Sequence, residues 1–272
     1  MASFTTSDGV SLHYKDEGEG TPLLCLAGLT RNATDFDFVA PHLDGTRLIR
    51  LDYRGRGKSK WADPATYTIP VEARDTLELL DHLRLEKVAI LGTSRGGLIA
   101  MTLAALAHDR LLGVVLNDVG PELDPEGLEA IATYIGRNPS HRTHNDLLEI
   151  WPDVIVGFNN VPKSRFREEI ARLYDETPEG LRITYDPKLR DAVLAAAEAP
   201  MPDLWPLFDA LSGLPLCALR AENSNILPEA TFAEMQRRRP DMIAAGVKDR
   251  GHVPYLDEPD SLAAIRQWMN LL

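Results

Sequence analysis

The sequence predicts an α/β fold, a mostly parallel β-sheet flanked by helices, with a helical cap inserted into it. Three observations lead to this fold class. Short apolar segments of strand length alternate with segments of helical periodicity, a pattern typical of a parallel sheet covered on both faces. A strand-poor interval at residues 122–200 interrupts this alternation. The 272 residues, 44% of them hydrophobic, provide enough apolar material for one core of this kind.

The predicted strands and helices follow one another in a regular order. Apolar or β-branched runs predict strands at residues 10–15, 23–26, 47–51, 87–91, 112–116, 215–219 and 243–247. Helical spacing or alanine-rich composition predicts helices at residues 71–85, 96–106, 229–238 and 261–271. Three of these helices connect two strands, which favours parallel strand pairs.

The interval at residues 122–200 has a different composition. It is rich in proline, charged residues and helix formers, and it contains no convincing strand pattern. Helices are predicted within it at residues 125–136, 145–158 and 164–175. We therefore expect a sheet-based core formed by residues 1–121 and 201–272, with residues 122–200 as a helical cap or lid over one end of the sheet.

Charge and cysteine content exclude several classes of protein. The net charge of −12 makes nucleic acid and anionic membranes unsuitable partners, because the chain lacks the cationic surplus that neutralises phosphates. Cys25 and Cys217 lie in apolar runs and are expected to be buried thiols of a reducing compartment. The N-terminus has no signal-peptide pattern, and no apolar run is long enough to span a bilayer. A cytoplasmic protein acting on a small molecule is the expectation.

A Gly-x-Ser-x-Gly motif centred on Ser94 is the main indication of chemistry. It follows the strand predicted at residues 87–91 and precedes a predicted helix, which is the context of a nucleophile elbow. Such a turn strains the serine backbone and needs small neighbours, which Gly92, Gly96 and Gly97 provide. The serine would lie at a helix N-terminus, where backbone N–H groups favour developing negative charge.

A serine nucleophile needs a base, and His252 is the best candidate. It follows the predicted strand at residues 243–247 after a short loop, at the sheet edge where sites form in α/β proteins. His141 and His144 are spaced i, i+3, but no carboxylate or cysteine set completes a metal site around them. No metal site is expected.

Four segments across the chain together resemble the α/β-hydrolase fold family, in its helical-cap branch of esterases, lactonases and C–C hydrolases. They are Leu26–Asn32, Asp52–Ser59, the elbow around Ser94, and Asp249–Pro254. The resemblance implies that the backbone N–H groups of Leu29 and Arg95 form an oxyanion hole. The usual His-Gly of the first segment is Ala27-Gly28 here, which changes no backbone donor. The resemblance implies no cofactor.

The acid of the expected triad is the open question. At the position where the family places an aspartate, this sequence has Asn225. Three alternatives are open: asparagine orients His252 through its carbonyl oxygen, Asp118 or Glu222 supplies the acid instead, or Asn225 is a deliberate replacement of aspartate. The expectation favoured by the sequence is Asn225 in the acid position, with impaired turnover.

The serine at the elbow also narrows the reaction. Relatives that open epoxides or displace halide carry aspartate there, so acyl transfer to water is expected. We expect a serine hydrolase, a carboxylesterase or lactonase, that cleaves an ester-type bond of a small organic substrate through an acyl-enzyme. The alternatives are a C–C bond hydrolase, or a non-hydrolytic or catalytically crippled member that binds a ligand.

Overall fold

The computed structural model describes residues 2–198 and 200–272. Met1 and Ala199, which fall in the predicted core and cap ranges, lie outside the described residues. The strands are β1 Ala2–Thr5, β2 Ser11–Glu17, β3 Thr21–Leu26, β4 Thr46–Leu51, β5 Val88–Thr93, β6 Leu111–Asn117, β7 Tyr174–Thr177, β8 Gly180–Ile183, β9 Leu216–Ala221 and β10 Ile243–Val247. The α-helices are α1 Ile69–His82, α2 Arg95–Ala107, α3 Pro125–Tyr134, α4 His144–Val154, α5 Lys163–Leu173, α6 Leu189–Ala197, α7 Trp205–Asp209, α8 Glu229–Arg238 and α9 Pro259–Met269.

Eight strands form one sheet in the order β1-β2-β4-β3-β5-β6-β9-β10. β2 pairs antiparallel with both β1 and β4, and the other pairs in the sheet are parallel. The predicted fold class, a mostly parallel sheet flanked by helices, is therefore confirmed. In this order β5 lies between β3 and β6, so the loops that follow these three strands meet at the carboxyl edge of the sheet.

Alternating side chains of the strands supply two separate apolar cores. In β3, Leu24 and Leu26 pack into the core that contains α1 and α2 residues, whereas Leu23 and Cys25 pack into the core that contains α9 residues. This alternation follows from the two-residue period of a strand. Cys25 and Cys217 are both buried and unpaired, as predicted, and burial raises the pKa of the Cys217 thiol to about 12.

The segment between β6 and β9, residues 122–200, contains the three predicted helices and two elements that the sequence did not predict. These are α6 and the β7–β8 hairpin, so the expectation that the segment lacks strands is wrong. The hairpin strands have four residues each and carry charged or polar residues such as Asp175, Glu176 and Arg182. In β8 only Leu181 and Ile183 alternate with a polar residue, and two apolar positions in a four-residue strand are too few to give a periodic signal in the sequence.

This inserted segment (residues 122–200) is held on the carboxyl edge of the sheet by hydrogen bonds to the loop after β4. The Gly57 N–H donates to the Thr184 carbonyl at 3.1 Å, and the Asp186 N–H donates to the Gly55 carbonyl at 2.8 Å. An apolar cluster joins the same parts, since Tyr67 packs with Ile183 and its neighbours. The inserted segment therefore lies against the edge of the sheet at which Ser94 follows the strand β5.

Candidate active site

Ser94 lies in the sharp turn between β5 and α2. Its backbone has φ 51° and ψ −116°, a conformation that an L-residue adopts only when its surroundings enforce it. Crowding explains the nearby glycines: a Cβ on Gly96 would lie 2.0 Å from the Leu26 carbonyl oxygen, and one on Gly92 would lie 2.6 Å from the Gly96 carbonyl oxygen. Ser94 therefore lies in a strained and crowded turn, immediately before the first residue of α2.

His252 and Asp118 complete a hydrogen-bonded chain that begins at Ser94. The Ser94 Oγ lies 2.8 Å from His252 Nε2, and His252 Nδ1 lies 2.8 Å from Asp118 Oδ2. A carboxylate accepts the Nδ1–H of a neutral imidazole, which leaves Nε2 free to accept the serine proton. We call Ser94, His252 and Asp118 the candidate triad.

Asp118 lies directly after β6, the strand beside β5. It has φ 55° and is fully buried. The Ala221 N–H donates to its Oδ1 at 2.8 Å, and the Ser224 hydroxyl donates to its Oδ2 at 2.8 Å. With His252 as a third donor, every oxygen of this buried carboxylate is hydrogen-bonded, as a buried charge requires.

The structure corrects the expectation that Asn225 occupies the acid position. Asn225 is exposed, and the side chain beside His252 is that of Asp118. Glu222 is also exposed and accepts the Asp249 N–H at 2.9 Å, away from the imidazole. The last residue of β9, Ala221, and Ser224 in the loop that follows it donate hydrogen bonds to Asp118; neither Asn225 nor Glu222 contacts the imidazole through a hydrogen bond.

Leu29 and Arg95 carry the backbone N–H groups expected in an oxyanion hole. The Gly28 carbonyl accepts the Arg31 N–H at 3.2 Å, and since a trans peptide points its N–H opposite to its carbonyl, the Leu29 N–H faces away from that contact. Arg95 is the first residue of α2, where an N–H has no partner within the helix. In the described chain, neither N–H donates a hydrogen bond to another protein group.

A polar pocket that the sequence did not predict lies beside the loop that carries His252. It encloses a cavity of about 30 Å³, lined among others by Arg31, Asp35, Glu169 and Tyr255. Arg31 Nη2 donates to Glu169 Oε1 at 3.1 Å, and the Tyr255 hydroxyl donates to Glu169 Oε2 at 3.1 Å. Burial raises the pKa of Asp35 to about 6, although Arg31 opposes this shift. These residues come from distant segments, so no local motif announces the pocket.

Other expectations concern metals and membranes. Within residues 2–198 and 200–272, no group of three or more His, Cys, Asp or Glu side chains is arranged to hold a metal ion. His144 instead pairs with the Tyr174 carbonyl, 2.7 Å from its Nε2. Among the described helices, none combines the length and apolar composition that crossing a bilayer requires.

Comparison with known proteins identifies the class to which this fold and site belong. A sequence model of the Alpha/beta hydrolase family matches residues 23–265, and the chain is a member of that family. The crystal structure of an alpha/beta hydrolase from Novosphingobium aromaticivorans aligns with a TM-score of 0.92, at 37% identity over 100% of this chain and 98% of that one.

Two relatives have named activities. The 3-hydroxybutyrate-oligomer hydrolase of Cupriavidus necator is 35% identical over 94% of this chain and 90% of the relative. The 2-(acetamidomethylene)succinate hydrolase of Mesorhizobium japonicum is 26% identical over 92% of this chain and 87% of the relative. Together with the family, these relatives support hydrolase activity.

Proposed function

We propose that the protein is a serine hydrolase that cleaves an ester bond of a small organic substrate through an acyl-enzyme. The observation that carries this proposal is the continuous hydrogen-bonded chain in which 2.8 Å separates Ser94 Oγ from His252 Nε2 and 2.8 Å separates His252 Nδ1 from Asp118 Oδ2. A buried carboxylate, an imidazole and a serine in this order form the arrangement that activates a hydroxyl for attack on a carbonyl.

The proposed reaction has two halves that use the same groups. Ser94 Oγ attacks the ester carbonyl while His252 Nε2 takes the hydroxyl proton, and the N–H groups of Leu29 and Arg95 stabilise the oxyanion. The tetrahedral intermediate collapses, the C–O bond to the alcohol breaks, and His252 returns the proton to that alcohol. Water then attacks the acyl-enzyme with His252 as base, which releases the acid and regenerates Ser94.

In this proposal Asp118 is the acid of the triad. Its carboxylate fixes the imidazole tautomer and stabilises the imidazolium formed during each proton transfer. The impaired turnover expected from an asparagine in the acid position has no basis once Asp118 lies beside His252. We therefore expect a fully active hydrolase and not a crippled, ligand-binding member of the family.

For the substrate we propose a short ester of a hydroxycarboxylic acid. Support comes from the Cupriavidus necator relative, which is named for hydrolysis of 3-hydroxybutyrate oligomers and aligns over 94% of this chain. The polar pocket offers suitable partners for a hydroxyl group, and its Arg31 lies close to Ser94. A Cβ placed on Gly28 would be 3.4 Å from Arg31 Cγ and 3.9 Å from Ser94 Cβ.

The decisive experiment combines covalent labelling with a substrate panel. We expect a fluorophosphonate probe to label the parent protein, and Ser94→Ala to lose both the label and all turnover. The panel comprises the 3-hydroxybutyrate dimer, its methyl ester, p-nitrophenyl acetate, γ-butyrolactone and a 1,5-diketone. Hydrolysis of the diketone alone would indicate a C–C hydrolase, and a parent that is neither labelled nor active would indicate a binding protein.

We also propose that residues 122–200 act as a lid that selects substrates by size. The contacts that support this are the ion pair of Arg165 with Asp257 and the Phe158 ring 5.5 Å from the Tyr255 ring, three residues beyond His252. We expect Phe158→Ala to change the ranking of p-nitrophenyl esters by acyl length, whereas Val156→Ala, at a side chain 68% exposed, leaves it unchanged. An unchanged ranking in both variants would contradict the lid.

A further inference from the structure

A buried ion cluster connects the two residues whose N–H groups are the proposed oxyanion donors. At its centre is Glu72, in the first turn of α1 and fully buried. Arg95 Nε donates to Glu72 Oε2 at 2.6 Å, and Arg56 Nη1 lies 2.9 Å from Glu72 Oε1. The contact with Arg56 is an ion pair and not a hydrogen bond, because no N–H group points at Glu72 Oε1. No local motif predicts this cluster, and the proposed reaction assigns it no role.

On one side, the cluster fixes the residue that follows Ser94. The Arg95 guanidinium donates to Glu72 and, through Nη2, to the Tyr67 carbonyl at 3.0 Å. The preceding carbonyl, that of Ser94, accepts the Gly97 N–H at 2.8 Å and the Leu98 N–H at 3.3 Å. Because the Ser94–Arg95 peptide is planar, these contacts together determine the direction of the Arg95 N–H.

On the other side, the cluster fixes Leu29. Arg56 Nε donates to the Leu29 carbonyl at 3.0 Å, and the Arg56 guanidinium carbon lies 5.8 Å and 5.3 Å from the centres of the Tyr53 and Tyr67 rings. The Gly28–Leu29 peptide is held by the Arg31 N–H. Both peptide units that flank Leu29 therefore have a fixed partner, and one of these partners is the guanidinium that faces Glu72.

We propose that Glu72 is a positioning residue that holds both oxyanion donors in place through Arg95 and Arg56. This inference rests on the proposed function, because it assumes that the Leu29 and Arg95 N–H groups bind the oxyanion. Glu72 is the one carboxylate that both guanidinium groups approach closely in the described structure. Without its charge, the buried Arg56 and the largely buried Arg95 would lose the carboxylate between them, and we expect each to move together with the backbone it holds.

A positioning role predicts a specific kinetic signature. Oxyanion donors act on the tetrahedral state more than on the bound ester, so their displacement lowers kcat and leaves KM nearly unchanged. Affinity for a trifluoromethyl ketone, which forms a tetrahedral adduct with the serine, should fall in proportion to kcat/KM. A residue that merely stabilises the fold would lower the fraction of active molecules without changing either quantity per active site.

The test compares Glu72→Gln with Asp75→Asn. Asp75 lies one turn further along α1 and forms an equally buried pair with Arg54, whose Nε and Nη2 donate to it at 2.7 Å, but it does not contact Arg95 or Leu29. Fluorophosphonate titration gives the concentration of active sites, p-nitrophenyl acetate gives kcat and KM, and a trifluoromethyl ketone gives an inhibition constant. Arg95→Met, which keeps the Glu72–Arg56 pair, is the second variant should Glu72→Gln fail to fold.

For Glu72→Gln we expect kcat per titrated site to fall about tenfold to a hundredfold, because displacing a donor by up to ~1 Å costs at most about a hundredfold and removing it outright costs about a hundredfold to a thousandfold. KM should stay within about twofold, and the inhibition constant should rise in parallel with the loss of kcat/KM. Arg95→Met should show the same pattern, and Asp75→Asn should keep the parent kcat per site. Equal kcat losses in Glu72→Gln and Asp75→Asn, or an unchanged inhibition constant, would overturn the inference. A parent that is not labelled would instead refute the proposed function.

Discussion

The loops that follow β6 and β9 both reach the Nδ1 side of His252, but they contribute different groups. The β6 loop begins with Asp118, whose carboxylate contacts the imidazole. The last residue of β9 supplies the Ala221 N–H and the loop after it the Ser224 hydroxyl, and both donate to that carboxylate. The comparison teaches that one position beside a histidine can be filled from either of two neighbouring strands. The strand that lacks the acid then stabilises it.

The largest expected effect comes from removing the acid. Asp118→Asn should lower kcat about ten-thousandfold, as the same exchange does in the serine-protease triad, because the amide favours the wrong imidazole tautomer. Steady-state hydrolysis of p-nitrophenyl acetate by the parent and the variant measures this change.

Asn225→Asp is the matched control on the other loop. Since Asn225 is exposed and both imidazole nitrogens of His252 have other partners, a carboxylate there should change kcat by less than about threefold, as for a surface substitution. A large gain in Asn225→Asp together with full activity in Asp118→Asn would reverse the comparison of the two loops.

A smaller effect, on the pH dependence of stability, is expected at Asp35. This residue lies on the loop after β3, and its carboxyl group faces Arg31 and not a histidine. Burial raises its pKa to about 6, so the fold favours the protonated carboxyl. The associated stability is therefore present at low pH and is lost as pH rises through the folded pKa. Between pH 5 and 8 the free energy of unfolding should fall by ~1–2 kcal/mol from this group.

Asp35→Asn, which cannot ionise, should remove this decline. Urea unfolding of both proteins at pH 5 and pH 8 measures the difference. A variant whose stability falls between these pH values as steeply as that of the parent would contradict the prediction.

The smallest effect is expected at Ser224. Ser224→Ala removes one of three hydrogen bonds to Asp118 but leaves the Ala221 N–H and His252 in contact. A hydrogen bond to a charged group contributes about 1.5–3 kcal/mol, and only part of it changes during proton transfer, so we expect kcat to fall about threefold to tenfold. Ser212→Ala, remote from the site, is the control for assays of kcat. A loss as large as that of Asp118→Asn would mean that Ser224 acts on the histidine directly.

Much of the fold and part of the site can be predicted from the sequence, for identifiable reasons. The core strands are continuous apolar runs, and Gly92, Ser94 and Gly96 form a local motif whose backbone strain dictates its residues. Asp118 belongs to no such motif. The sequence does contain a suitable signal, an aspartate directly after the strand next to the elbow strand. That signal does not decide which loop provides the acid, because the loop after β9 is an equally suitable position for it.

The ion cluster and the polar pocket could not be predicted because their parts are far apart in the chain. Glu72 and Arg95 are 23 residues apart, and Arg31 and Glu169 are 138 residues apart. Judged from its sequence neighbours alone, each of these charged residues is indistinguishable from an ordinary surface charge. Burial and partners come only from the packing of α1 against α2 and of the inserted segment against the loop after β3.

The two cysteines have a practical consequence for measuring motion. Cys25 and Cys217 are fully buried, and burial raises the pKa of both thiols, which suppresses the thiolate that reacts with maleimides and spin labels. A cysteine introduced at Val156, exposed on the inserted segment, would therefore take up a reporter selectively in the otherwise native chain. Fluorescence or electron paramagnetic resonance would then test whether the segment moves during turnover, without first removing any natural thiol.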